Sequence, residues 1–306
     1  MFDIVGKRIW FFAISLVLIL ASVIALAVLG LKPGIDFSSG SIITLSFEET
    51  VTPEEVEGEL LSLGYAGQVE ESQGKIIIHT VELSTTEKTK LEEGLEASLG
   101  PVEEKGFETV APVIAEETAK IAAIAVGVAA VAILIYITWA FRRMPRPFRY
   151  GTCAVIALVH DVLVVLGIFA ILGSFMNWEV NLMFITGILA VIGYSVNNTV
   201  VVFDRIRENL RQGISADFEV VVNSSLVDTL GRSLNTSLTT LAVVIALVLF
   251  VGVSIQNFAV VLLIGVVAGT YSSLFVAPQL LVVWEQRKWS GFVRRPSPAA
   301  GGVRRG

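Results

Sequence analysis

Very little in this sequence marks a water-soluble enzyme. Of its 306 residues only 16% are charged, one is cysteine and two are histidine. A single Cys153 excludes a disulfide within the chain, and residues 32–117 have no cysteine at all. G-x-x-x-x-G-K-[ST] is absent, so there is no P-loop for ATP, and H-E-x-x-H is absent too. Charge is missing from residues 9–31 and from the 52 positions 233–284. Arginine is missing from residues 32–117, although that stretch holds nineteen acids and five lysines. The net charge of −6 therefore averages two unlike regions.

What is present is apolar. Hydrophobic residues make up 54% of the chain, which points to several membrane spans. About 20 apolar residues cross the hydrocarbon. The first run, 9–31, follows Lys7 and Arg8 and exceeds the ~7–15 apolar residues of a signal peptide, so it reads as an uncleaved span. Further spans are expected at 121–141, 150–173 and 180–203. The run 233–284 is too long for one helix and reads as two, with a turn at 252–254. That gives six.

Orientation follows from basic residues in short loops. Residues 142–149 hold four arginines, 205–232 hold four more, and the segment after Trp284 holds six basic residues. All three fall on the side of the N-terminus, which is therefore expected to be cytoplasmic. The expected organisation is a first span within 1–31, an extracytoplasmic domain over 32–118, five spans over 119–284 and a disordered basic tail over 285–306.

The segment after the first span reads as a small α+β unit. "SIITLSF" (41–47) and "KIIIHTV" (75–81) alternate as strands, with weaker ones near 68–71 and 102–110. Thr52-Pro53-Glu54-Glu55 starts a helix that Gly64 stops, and a second helix runs from Thr85 or Thr86 to near Gly100. The order β-α-β-β-α-β is that of a ferredoxin-like unit. His79, alone on its strand, reads as a half-buried surface residue rather than a metal ligand.

Polar groups inside spans are candidates for function, because lipid offers them no partner. Asp161 lies roughly 16 Å into its span, close to the midplane, and is the one acid at that depth. His160 precedes it. Asn197 and Asn198 lie about 8 Å from the end of theirs. Arg232 stands at the entry of the fifth span. Each has a plain alternative: asparagine as glue between helices, arginine snorkelling to headgroups. Gly187, Gly193, Gly265 and Gly269 read as sites of close helix contact, and Glu179 as an interfacial residue. A lone midplane acid does not make an intramembrane aspartyl protease, and His160 has no nearby metal ligand besides Asp161. Neither metal nor cofactor is expected, and no enzymatic chemistry.

Several blocks carry a family resemblance. "GIDFSSG" (34–40) resembles the GIDFxGG motif of SecD and SecF proteins, with Gly34, Asp36, Phe37 and Gly40 in place and Ser39 where glycine is usual. "ALVHDV" (157–162), "VIGYSVNNTVVVFDRIREN" (191–209), "TLGRSLNTSLTT" (229–240) and "GTYSSLFVAP" (269–278) resemble SecF blocks in the same order. Asp204 and Arg205 belong to the second of these. The chain is identified as a member of the SecD/SecF family, in the RND-like class. The resemblance implies a bacterial inner-membrane protein with both termini cytoplasmic. It would pair with SecD, associate with the SecYEG channel, and use the proton gradient to promote preprotein export. Membrane lipid is the other expected partner; nucleic acid is not. The family has Asn-Asp where this chain has Asn197-Asn198, and that aspartate is held to conduct protons near the arginine matching Arg232. Asn198 cannot titrate. Three readings follow: a proton-coupled subunit relying on Asp161 or on an acid of SecD, a passive structural partner of SecD, or an RND-type small-molecule exporter. The last fits poorly with about 85 external residues.

Overall fold

A computed structural model describes residues 3–72, 74–250, 252 and 255–285. Six helices in it are long and apolar enough to cross a membrane: Val5–Val28, Pro112–Ala140, Phe148–Met176, Leu182–Gln212, Phe218–Phe250 and Gln256–Glu285. Helices suit lipid because they satisfy their own backbone polar groups. The chain is a multi-pass α-helical membrane protein with a small α+β domain.

That domain follows helix α1 (Arg8–Val28) and the short α2 (Ile35–Ser38). It comprises β1 (Gly40–Phe47), α3 (Pro53–Ser62), β2 (Gly67–Ser72), β3 (Lys75–Thr80), α4 (Thr85–Leu99) and β4 (Val102–Val110). The sheet is antiparallel, in the order β2-β3-β1-β4. This is the ferredoxin-like arrangement expected. Alternation puts Ile43, Leu45, Ile76 and Ile78 on the face that meets Val56 and Leu60 of α3 and Leu91 and Leu95 of α4. Both helices begin with capping boxes, Thr52 with Glu55 and Ser84 with Glu87, each worth about 1 kcal/mol. Hydrogen bonds from the Thr52 backbone and hydroxyl hold the Glu55 carboxyl below its ordinary range.

The remaining helices are α5 (Pro112–Ala140), α6 (Phe148–Met176), α7 (Leu182–Gln212), α8 (Phe218–Phe250), α9 (Gln256–Phe275) and α10 (Ala277–Glu285). Four bounds differ from expectation, one of them the end of α7, which runs to Gln212 rather than 203. Helix α5 begins at Pro112, so residues 112–118 are its first turns and not part of the sheet domain. Helix α8 begins at Phe218, far before the apolar run, because its early turns are amphipathic and pack Val222 and Leu226 against Phe203 and Ile206 near the end of α7. The last span is two helices, α9 and α10, broken at Val276 ahead of Pro278. Of the expected turn only Gly252 is described; Val253, Ser254 and the tail from residue 286 lie outside the described residues.

Helices α6, α7 and α9 form the centre. Small residues let them approach: a Cβ at Gly187 would meet Val261 at 2.7 Å, one at Gly269 would meet Ser195 at 3.0 Å, and one at Gly265 would overlap Val191. Gly193 is different. It is exposed with nothing within 4 Å of its Cβ position. Towards one end, Phe141, Tyr150 and Phe203 pack ring on ring at 5.3–6.1 Å. Towards the other, Phe169 packs against Trp178 and Phe184, beneath the sheet domain.

Candidate functional site

Asp161 lies near the middle of the 29-residue α6 on its inward face and is 1% exposed. Its Oδ2 accepts from Ser195 Oγ of α7 at 2.6 Å and from Ser272 Oγ of α9 at 2.7 Å. Its Oδ1 lies 3.0 Å from His160 Nδ1. Burying a carboxylate is costly without hydrogen bonds, and here three helices supply them. The Ser195 carbonyl accepts from Thr199 Oγ1 and Ser273 Oγ, extending the polar seam. His160 is buried against Tyr271 with ring centroids 6.0 Å apart. Its Nε2 has no hydrogen-bond partner among the described residues. Tyr271 donates to the Phe11 carbonyl at 2.7 Å, which ties α1 to the seam.

The two asparagines part company. Asn198 is buried; its Nδ2 donates to Ser237 Oγ of α8 over a long 3.5 Å, and Tyr194, one turn earlier, donates to the same oxygen at 2.8 Å. Ser237 also shares a 2.7 Å bond with Thr270 of α9. Asn197 is exposed and faces away from this network. Arg232 is exposed as well. It lines a cleft of about 400 Å³ with Val201, Asp204, Arg205, Glu208 and Asp228, nearer the end of α7 than Asn198. The structure thus gathers Asp161 and His160 in one cluster, sets Asn198 in a neighbouring one, and leaves Asn197 and Arg232 outside both.

In the cleft, Arg205 donates through Nε and Nη2 to Asp228 Oδ2 at 3.0 and 2.8 Å and through Nη1 to Glu208 at 2.7 Å. Asp204 pairs with Arg207. Asn209 donates to Ser225 at 2.9 Å. The charge cluster therefore binds α7 to α8.

The segment 34–40 works at the opposite end of α7. Asp36 Oδ2 accepts from the Leu182 N–H, the first of that helix, at 2.9 Å. A carboxylate at a helix N-terminus also complements the dipole. Gly34 N–H donates to the Val180 carbonyl and Val180 N–H to the Lys32 carbonyl. Phe37 packs into the cluster around Phe169 and Phe184. Ser39 has φ of 64° and ψ of 166°, and Gly40 has φ of 129° with the Thr80 carbonyl 2.6 Å from where a Cβ would stand. Sequence reasoning missed Ser195, Ser272 and Asp228. A hydroxyl two or three residues after a glycine on an apolar helix, Gly193 before Ser195 and Gly269 before Ser272, is the one signal that marks the first two.

A family model described as "Protein export membrane protein SecD/SecF, C-terminal" matches residues 90–287, and one described as "SecD/SecF GG Motif" matches residues 24–51. The chain belongs to the SecD/SecF family. The protein translocase subunit SecF of Thermobaculum terrenum is 42% identical to it, over 98% of this chain and 99% of that one. The corresponding subunit of Anaerolinea thermophila is 40% identical over the same shares. Among solved structures, SecDF from Thermus, described as a translocon-associated membrane protein, superposes with a TM-score of 0.83 at 32% identity and covers 94% of this chain. The chain spans 39% of that SecDF protein's length. SecD/SecF membership makes this chain a protein translocase subunit by family.

Proposed function

We propose that the chain is the SecF half of a SecD–SecF pair in a bacterial cytoplasmic membrane, and that the pair uses the proton gradient to promote preprotein export through a SecYEG channel. Near full-length likeness to subunits named SecF supports the pairing, as does the greater length of SecDF. The arginine-rich loops support cytoplasmic termini, with the sheet domain outside.

One observation carries the proton-coupled reading: a fully buried carboxylate at mid-helix held by groups from three helices. Protonating Asp161 changes an acceptor of two hydroxyls into a neutral acid with its own proton to donate. Ser195 and Ser272 then face a weaker, neutral acceptor, and the seating of α7 on α9 shifts. His160, at 3.0 Å, supplies a second titratable nitrogen beside it. Each charge moved across the field is worth about 2.3 kcal/mol per 100 mV, enough to bias such a shift. A second reading, that of a passive partner, is favoured by Asn198, whose amide donates to Ser237 and carries no titratable proton.

The deciding experiment reconstitutes the chain with its SecD partner and the channel. Asp161→Asn should reduce gradient-dependent export to the level seen without a gradient, and Asn198→Asp should preserve or raise it. Asn198→Ala should cost less than Asp161→Asn. Export that keeps its gradient dependence in Asp161→Asn favours the passive reading.

A further inference from the structure

Between α6 and α7 a short turn does more than connect. Residues 177–181 are held on three sides. Pro33 and Val180 form a parallel bridge, and Lys32 Nζ donates to Asn177 Oδ1 at 3.2 Å. Asn257 of α9 donates to the Glu179 carbonyl at 2.9 Å. On the fourth side lies the open face of the sheet, where His79 of β3 places Nδ1 3.5 Å from Glu179 Oε1. Both side chains are about one-fifth exposed, at 21% and 20%. Gly34 makes the room: a Cβ there would stand 3.1 Å from Glu179 Oε2.

We infer that the His79–Glu179 contact is a pH-sensitive latch that fixes the sheet domain to the turn leading into α7. The other bonds described across this junction come from backbone, amide and lysine groups and from the Asp36 carboxylate. His79 and Glu179 form the imidazole–carboxylate contact among them. The groups facing the pair are Lys32 from the segment after α1 and Glu70 from β2, with the uncharged Asn257 amide from α9. Burial raises the Glu179 carboxyl above its ordinary range and Glu70 adds to that, while His79 and Lys32 oppose it. Histidine is the side chain whose ordinary titration falls between about pH 5 and 8. With both groups neutral or only Glu179 charged, the 3.5 Å contact is weak. Protonating His79 while Glu179 stays ionised makes it an ion pair. Further acid neutralises Glu179 and releases it. The latch is thus tightest in mildly acidic solution and looser on both sides. Because Asp36, on the same junction, caps α7, the state of the latch reaches the helix that carries Ser195 and Asn198.

This inference does not require Asp161 to carry protons, and its test reads conformation, not export. Spin labels are attached at Glu93→Cys on α4 and Gln212→Cys at the far end of α7, in the full chain with Cys153→Ala, in lipid nanodiscs with its SecD partner. Distance distributions are recorded at about pH 7.5, 6 and 4.5. The ordered population should be roughly fivefold greater at the middle pH than at either extreme, as a half-buried ion pair supplies. His79→Gln should leave a broad distribution throughout. His79→Lys, which keeps its charge, should be ordered at the two higher pH values. A wild-type distribution unchanged by pH overturns the latch. So does a pH response that survives in His79→Gln, or a His79→Lys profile that follows the wild type.

Discussion

Ser39 occupies a backbone region, φ 64° and ψ 166°, that glycine alone adopts freely. Such strain costs on the order of 1–3 kcal/mol, offset in part by the chain entropy that glycine adds to the unfolded state. Ser39→Gly should therefore raise stability by about 1 kcal/mol, seen as a higher melting temperature in detergent. Gly40→Ala should lower it by more, because the new methyl meets both a positive φ and the Thr80 carbonyl. At this scale the sequence was partly readable. Asp161 stands out because midplane acids are costly, and the structure surrounds it with donors. Ser195 and Ser272 do not stand out, since a serine in an apolar helix usually returns its hydroxyl to its own backbone. Asn197 and Asn198 look alike in the sequence, yet neighbouring residues point about 100° apart on a helix. Only the position of α8 decides that Asn198 is inside and Asn197 out.

Helix α7 is tied at both ends by side chains distant in sequence. Asp36 caps its start, and Arg205 near its end joins Asp228 of α8, 23 residues on. The i, i+3 pairs Arg205–Glu208 and Asp204–Arg207 follow from helical spacing and were legible. Asp228 was not, because nothing local says that α8 begins at Phe218 and runs back along α7. Hydropathy marks the lipid-crossing part of a helix and is silent about polar turns beyond it, which is why α5 and α8 start early. Arg205→Ala should loosen this hairpin by ~0.5–1 kcal/mol, the range for a partly exposed ion pair. The checks are faster proteolysis in the 213–217 turn and less assembled complex per cell, with gradient dependence unchanged in what does assemble. A fully assembled complex that has lost only coupling would instead place Arg205 in the mechanism.

For the molecule as a whole, the order of strands and helices was legible from alternation, caps and glycine stops. How the sheet sits on the bundle was not, because it depends on a turn, 177–181, whose residues carry no pattern. Sidedness remains the broadest claim. Single cysteines at Glu93 and at Gln212, both exposed, should label from opposite faces of sealed cells, Glu93 from outside; labelling of both from outside ends the six-span topology. If the acidic segment does face outward, its charge has a consequence of its own. Nineteen carboxylates against five lysines over residues 32–117 make it a small cation exchanger fixed to the membrane surface. Its negative potential enriches hydrated protons around it, so groups there meet a more acidic medium than the bulk. The reach of that potential is the Debye length, about 30 Å at 0.01 M salt and about 3 Å at 1 M. In dilute medium the domain gathers protons for the whole outer face of the bundle, and in concentrated salt only for itself.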